Sequence, residues 1–102
     1  MGSPLGRTTD YTKFSLEAEA VTVTVLYFAS ARDLSGTSQE KLELPAGVGT
    51  LRQLVAHLTA LHPALAGAIE RMRVARNEEF AELDERPLDG DVIALIPPVS
   101  GG

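Results

Sequence analysis

The last six residues of the chain, Pro97-Pro-Val-Ser-Gly-Gly102, have the composition of a stiff spacer that carries a slender reactive end. Pro97 and Pro98 lack a backbone N–H, so they end any strand before them, and proline favours extended geometry in the residue that precedes it. Gly101 and Gly102 have no Cβ, so this end of the backbone could enter a narrow tunnel in another protein. A terminal carboxylate becomes reactive only after activation, typically as an acyl-adenylate. The tail therefore predicts a carrier whose own C-terminus is a substrate.

The residues before the tail favour this interpretation over a frayed chain end or a cloning scar. Residues 91–96 predict a strand that runs directly into Pro97, and a scar would not be coupled so tightly to a strand end. In this strand Val92, Ala94 and Ile96 would face one way, and Ile93 and Leu95 the other. Apolar residues on both faces predict a central strand that is covered on both sides.

Four other segments predict strands. The clearest covers residues 21–28, where valines alternate with threonines before an apolar end that indicates coverage of both faces. The weaker strands are predicted over residues 38–44, 72–76 and 80–83. Residues 29–37 predict a connecting loop, since they end in a Ser-Gly-Thr turn signal.

One long helix is predicted after Thr50. Thr50 and Gln53 have the spacing of a capping box, and leucines follow at helical intervals until Pro63 ends the helix near Leu61. Residues 63–71 predict a short second helix. Strands arranged around a single long helix predict an α+β fold with the helix across one face of the sheet.

Composition limits the classes of function. A chain of 102 residues fits one domain, and its formal net charge of −5 argues against a nucleic-acid binder. The absence of cysteine excludes disulfides and thiolate metal sites, and no apolar run has the length of a membrane helix. Residues 1–20 show no period and predict a disordered leader or tag without a function of their own.

The polar residues that could suggest other chemistry have simpler interpretations. His57 lies off the apolar stripe of the helix and His62 belongs to the helix stop, so neither is predicted to act as a base or metal ligand. Asp89 and Asp91 flank a glycine in a turn before the last strand, and no metal site is predicted there. An acidic segment favours a solvated sheet edge, with docking on a basic partner as a second interpretation; it contains Glu78, Glu79, Glu82, Asp84 and Glu85.

Two motifs carry a resemblance to a known family. The segment Leu26-Tyr-Phe-Ala-Ser-Ala-Arg-Asp-Leu-Ser-Gly36 resembles an apolar strand followed by Phe-Ala-x-x-Arg-[Asp/Glu]-x-x-Gly, and Ile96-Pro-Pro-Val-Ser-Gly-Gly102 resembles the tail of the same proteins. These are the ubiquitin-like sulfur carriers, in particular the small subunits of molybdopterin synthases. The resemblance covers residues 21–102. It implies a ubiquitin-like β-grasp domain over residues 21–96, with a mixed sheet of about five strands whose first and last strands are parallel neighbours. Residues 97–102 would form a flexible tail.

The resemblance also implies a function and partners. An E1-like activating enzyme would adenylate the Gly102 carboxylate with ATP and Mg²⁺, and a sulfur donor would convert it to a thiocarboxylate. The tail would then deliver sulfur to a pterin precursor inside a large subunit, within a cytoplasmic heterotetramer. Gly102 would be the reacting residue and Gly101 would give clearance. The chain would bind no cofactor, metal, nucleic acid or membrane itself, and would be a non-catalytic subunit of a sulfurtransferase complex.

The same resemblance implies which residues meet the partners. Phe28 and Ile96 are the first candidates for an apolar docking patch and Leu95 is the next, although one residue of each alternating pair must be core. Arg32 would stand near the surface that meets the large subunit. The remaining candidates set the reach and direction of the tail: Pro97, Pro98, Val99 and Ser100.

Three alternatives remain open from the residues alone. The carrier could serve thiamin synthesis, a tungsten cofactor or tRNA thiolation. The same activated glycine could acylate lysines, which would make the chain a ubiquitin-like protein modifier. The domain could also be a β-grasp interaction module with an inert tail.

Overall fold

The computed structural model of the chain describes residues 20–98, so residues 1–19 and 99–102 lie outside the described part. Most of the predicted leader and the last four residues of the predicted tail fall there. The elements in chain order are β1 (Thr22–Tyr27), α1 (Ala29–Ser35), β2 (Gln39–Glu43), α2 (Leu51–Leu61), two 3₁₀ turns (Pro63–Leu65 and Ile69–Arg71), β3 (Arg73–Arg76), β4 (Glu79–Phe80) and β5 (Val92–Ile96).

The strands form one mixed sheet in the order β2-β1-β5-β3-β4. β1 and β5 are parallel neighbours, with Thr24 opposite Val92 and Tyr27 opposite Leu95. The other neighbouring pairs are antiparallel. The strand that leads into the tail therefore lies at the centre of the sheet, as its apolar composition predicts, and the predicted α+β class is confirmed.

The core lies on one face of this sheet, against α2. The helix begins with the predicted capping box: the Gln53 N–H donates to the Thr50 side chain, and the Thr50 N–H donates to Gln53 Oε1. The next two helix N–H groups donate to carbonyl oxygens of the loop at residues 83–85, so the helix start is fully satisfied. The fully buried residues of α2 pack with the inward side chains of β1 and β5 in one cluster: Val23, Val25, Leu51, Leu54, Leu58, Ile93 and Leu95.

Helix α1 corrects the sequence prediction of a loop over residues 29–37. It begins without a polar cap, because Phe28 occupies the N-cap position, and Ala29 has a left-handed φ of 48°. It ends at Gly36, whose φ of 81° allows its N–H to donate to the Arg32 carbonyl oxygen. The apparent turn signal is therefore a helix C-cap. A start without a capping side chain and a length of seven residues explain why periodicity did not reveal the helix.

Two smaller predictions also differ from the structure. Residues 63–71 form two 3₁₀ turns instead of one helix. β4 covers only Glu79 and Phe80, since the chain then leaves the sheet edge and its carbonyl groups cap α2. The predicted turn at Asn77 is confirmed, with φ values of 52° at Asn77 and 74° at Glu78.

Candidate functional site

The tail begins where β5 leaves the centre of the sheet. The Phe28 N–H donates to the Leu95 carbonyl oxygen at 3.3 Å, which is the last bond between the two parallel segments. Pro97 is half-buried and Pro98 is exposed. The two prolines line a small notch of about 140 Å³ together with Ser30, Ala68, Arg71 and Met72. The tail therefore leaves the domain between α1 and the second 3₁₀ turn.

An open groove lies beside this point, on the face of the sheet opposite α2. Its volume is about 550 Å³, and we call it the apolar groove. Phe28 and Phe80 remain 48% and 60% exposed although both are large and apolar. The groove is lined by Leu26, Phe28, Ala75, Asn77, Glu78, Phe80, Val92, Ala94 and Ile96. Such an exposed apolar surface on a small domain indicates a site of protein contact.

The groove corrects the expectation that β1 and β5 are covered on both faces at their ends. α2 packs on one face, whereas Leu26, Val92 and Ile96 stay only half-buried on the other. The apolar residues that suggested a second packed layer therefore form a surface in this chain. Sequence alternation alone could not separate these two outcomes, because both require apolar residues on each side of the strand.

The structure separates the two adjacent candidates at the end of β5. Leu95 has no exposed surface and belongs to the core, which corrects its assignment to the docking patch. Ile96 faces the apolar groove together with Phe28. Arg32 is exposed on α1. The candidates Val99, Ser100, Gly101 and Gly102 lie outside the described residues.

A polar cluster that sequence reasoning missed lies on the core face, away from the groove. His62 Nε2 is 2.7 Å from Glu40 Oε2, and the Tyr27 hydroxyl donates to the same carboxylate oxygen. The three residues come from β1, β2 and the C-cap position that follows α2, which explains why no local pattern in the sequence indicated them. The only local signal was an inward position for Tyr27 on β1.

The electrostatics of this cluster indicate a structural role. Burial, reinforced by the hydrogen bond to Glu40 and its charge, raises the pKa of Tyr27 far above its ordinary value. Burial alone would raise the pKa of Glu40, but the hydrogen bonds from Tyr27 and His62 outweigh it and hold that pKa below its ordinary value. Glu40 therefore stays ionised and ties the edge strand β2 to β1 and to the end of α2.

Asp91 has a structural role in the turn before β5. It is 7% exposed, and its carboxylate accepts hydrogen bonds from the Asn77 amide at 3.0 Å and from the Leu88 N–H at 2.8 Å. Asp89 accepts a hydrogen bond from the Thr22 N–H at 2.9 Å. Within residues 20–98, no group of three or more His, Asp or Glu side chains is arranged to hold a metal ion. In the same range, no helix is long and apolar enough to cross a membrane.

Solved structures with a similar fold come from the ubiquitin-like carriers and modifiers. SAMP1 from Haloferax volcanii superposes with a TM-score of 0.71 at 30% identity, covering 79% of this chain and 99% of that one. A putative molybdopterin converting factor subunit 1 from Pyrococcus furiosus gives 0.69 at 32% identity, covering 78% and 99%. A complex of molybdopterin-converting factor subunits 1 and 2 from Helicobacter pylori gives 0.61 at 26% identity, covering 80% and 100%. The predicted ubiquitin-like β-grasp fold is confirmed.

Sequence relatives agree with this fold. A molybdopterin synthase sulfur carrier subunit from Chlamydomonas reinhardtii is 38% identical over 82 residues, which cover 78% of this chain and 98% of the relative. The human protein of the same description is 37% identical over 83 residues, which cover 78% of this chain and 93% of the relative. The ThiS family model matches residues 25–102, a range that holds both motifs, the apolar groove and the tail. This chain therefore belongs to the ThiS family.

Proposed function

We propose that this chain is a sulfur carrier, the small subunit of a molybdopterin synthase, and that Gly102 carries the sulfur. One observation supports the proposal above the others. The central strand β5 leads the chain out of the domain at Pro97, beside an open apolar groove. The fold thus provides a surface for docking next to the root of a tail that ends in Gly101 and Gly102.

The chemistry takes place at the Gly102 carboxylate. A carboxylate oxygen attacks the α-phosphorus of ATP, pyrophosphate leaves, and an acyl-adenylate forms. A sulfide equivalent from a donor then attacks the acyl carbon and displaces AMP, which leaves a thiocarboxylate. In the synthase the thiocarboxylate sulfur bonds to a carbon of a pterin precursor, and water then attacks the acyl carbon, which breaks the acyl C–S bond and regenerates the carboxylate. Gly101 gives the reacting atoms clearance, because a residue without Cβ exposes the backbone on all sides.

The activating groups belong to other proteins in this proposal. The sequence has no glycine-rich phosphate loop between a strand and a helix, so ATP and Mg²⁺ are assigned to an E1-like adenylating enzyme. The chain itself would hold no cofactor. Because it depends on an ATP-requiring enzyme and a sulfur donor, we expect the carrier to act in the cytoplasm.

The large subunit is the proposed occupant of the apolar groove. The Helicobacter pylori structure is a complex of two subunits of a molybdopterin-converting factor, and its matching chain has the fold described here. Phe28 and Ile96 would supply apolar contacts, and Arg32 would stand at the margin on α1. Pro97, Pro98, Val99 and Ser100 would span the distance to the catalytic pocket. The expected assembly is a heterotetramer, with two large subunits at its centre and one carrier at each end.

Intact mass spectrometry of the purified chain tests this function. The chain is incubated with its activating enzyme, Mg-ATP and a sulfur donor, and the C-terminal peptide is then mapped. We expect one oxygen to be replaced by sulfur at Gly102. Deletion of Gly102, or addition of one residue after it, should abolish this change without altering the circular dichroism spectrum. Normal loading of either variant would overturn the proposal.

A protein modifier is the second candidate function, since SAMP1 is described as a small archaeal modifier protein. The same activated glycine would then acylate a lysine amine and release AMP. An epitope-tagged chain in its native host distinguishes the two. Conjugates of high mass that disappear when Gly102 is deleted would favour the modifier, whereas a single free species would favour the carrier.

A further inference from the structure

Arg73 is the first residue of β3, next to the apolar groove. It lies opposite Ile96 in the antiparallel pairing of β3 with β5. Since alternate residues of a strand share a face, Arg73 lies on the same face as Ala75, which lines the groove. Ile96 is the residue before Pro97. The backbone of Arg73 thus lies beside the root of the tail, whereas its side chain extends toward β4.

The aromatic ring of Phe80 holds this cation in place. The central carbon of the Arg73 guanidinium lies 4.0 Å from the centroid of the Phe80 ring. A guanidinium over an aromatic ring is attracted to the face of that ring. It keeps N–H donors that can bind the two oxygens of a carboxylate. Among residues 20–98, Arg73 makes no ion pair, whereas Arg76 on the same strand pairs with Glu85 and Asp91.

Charges of both signs lie at the margin of the groove. Glu78 lines the groove beyond Asn77, past the end of β3 that is far from Ile96. The Arg73 guanidinium lies over Phe80 on the edge strand β4. A partner that places a carboxylate on Arg73 and apolar residues in the groove would fit in one orientation only.

We propose that the Arg73–Phe80 pair is a docking determinant that binds a carboxylate of the synthase large subunit at the β4 side of the apolar groove. This inference rests on the proposed function, because that function requires the tail to enter the large subunit. The charge contact would fix the direction in which the groove is occupied. It would thereby align Pro97 with the entrance, while the apolar contacts supply most of the buried surface.

Binding of the large subunit from the same organism tests the proposal. Calorimetric titrations use the wild-type carrier and the variants Arg73→Gln, Arg73→Lys and Phe80→Leu, each in about 0.05 M and about 0.5 M salt. We expect Arg73→Gln to weaken binding about tenfold at low salt and much less at high salt. Arg73→Lys should restore only part of the affinity, because an ammonium group cannot bind a carboxylate with two parallel hydrogen bonds.

The matched control is Arg52→Gln, which removes the same charge from an exposed position on α2, across the sheet from the groove. A double-mutant cycle adds a second test. If Phe80 acts by holding Arg73, the double variant Arg73→Gln with Phe80→Leu should lose less binding free energy than the sum of the losses of the two single variants. Equal unfolding midpoints for all variants would show that the domain remains intact.

The outcomes separate this inference from the proposed function. A chain that acquires no sulfur at Gly102 would overturn the proposed function. A chain that loads sulfur and binds the large subunit, but is indifferent to Arg73→Gln at both salt concentrations, would overturn only the docking role. If Arg73→Gln impairs only the adenylation of the chain and leaves binding of the large subunit normal, the docking role is also overturned. Additive losses in the cycle would exclude Phe80 as the residue that positions Arg73.

Discussion

Tyr27 and His62 meet edge to face over a shared hydrogen-bond acceptor. Their ring centroids are 5.6 Å apart, the ring planes are inclined by 81°, and both side chains bond to Glu40 Oε2. The edge strand β2 is thereby attached to the end of α2 through a single carboxylate. His57 on α2 makes a smaller contribution that also lowers the pKa of Glu40. The cluster lies on the side of the sheet away from the apolar groove, so it can be altered without touching the groove.

Replacing Glu40 by glutamine should destabilise the domain by about 1 kcal/mol at pH 7, because charge-assisted hydrogen bonds become neutral ones. The folded-state pKa of Glu40 is lowered from 4.5, so its contribution to stability is present above that value and is lost as the pH falls through the folded pKa. The difference between wild type and Glu40→Gln should therefore narrow below about pH 4.5. Urea unfolding at several pH values measures this difference in the free energy of unfolding. Glu43→Gln, an exposed change on the same strand, should show neither effect.

Glu78→Gly should stabilise the domain by about 1 kcal/mol, because an L-residue is strained at the left-handed φ of 74° found there. The substitution also creates an Asn-Gly pair, which suits a turn with two left-handed residues. Thermal unfolding measures the gain. Glu79→Gly is the matched control, since it lies in β4 and should be neutral or destabilising. A loss of stability for Glu78→Gly would contradict the turn geometry.

Although Leu95 and Ile96 are adjacent, alanine should affect different properties at the two positions: the stability of the domain at Leu95 and the binding of the large subunit at Ile96. Leu95→Ala should cost about 2–5 kcal/mol of unfolding free energy, because it leaves a cavity in the core. Ile96→Ala should cost about 1 kcal/mol or less but weaken binding of the large subunit, since Ile96 faces the groove. Chemical unfolding and calorimetric binding together check the pair. Equal losses of stability would contradict the assignment of the two faces.

Phe28→Asp should weaken association with the large subunit by a few kcal/mol and leave the fold intact. Phe28 is half-exposed, and an aspartate there would carry a charge into the apolar contact. Leu88→Asp provides the control, because Leu88 is 62% exposed and is not among the groove residues. We expect only Phe28→Asp to bind the large subunit more weakly, while the circular dichroism spectra of the two variants should be the same. If both variants bind equally well, Phe28 is not part of the docking surface.

The regular parts of the fold follow from the sequence because their signals are local. Valine–threonine alternation marks β1, and the capping box of Thr50 and Gln53 marks the start of α2. Helix α1 could not be found in this way, since it begins from Phe28 with no capping side chain. Ala31 of this helix is buried in the core, a tertiary contact that a local sequence pattern does not reveal.

The site was only partly predictable for a similar reason. Two motifs indicated Phe28 and Ile96, and the structure places both on the groove. The groove itself could not be derived, because apolar alternation does not tell an open face from a covered one. The pair of Arg73 and Phe80 depends on the antiparallel pairing of β3 with β4, which brings together side chains from different strands. Leu95 was misassigned since its neighbour has the same apolar character.

The central position of β5 has a mechanical consequence. The strand is hydrogen-bonded on one side to β1 and on the other to β3. A pull on the C-terminus acts along the strand, so both rows of hydrogen bonds are loaded in shear and must yield together. A tail attached to an edge strand would instead be peeled away one bond at a time. This domain can therefore serve as a rigid handle when its end is drawn into, or withdrawn from, a tight channel.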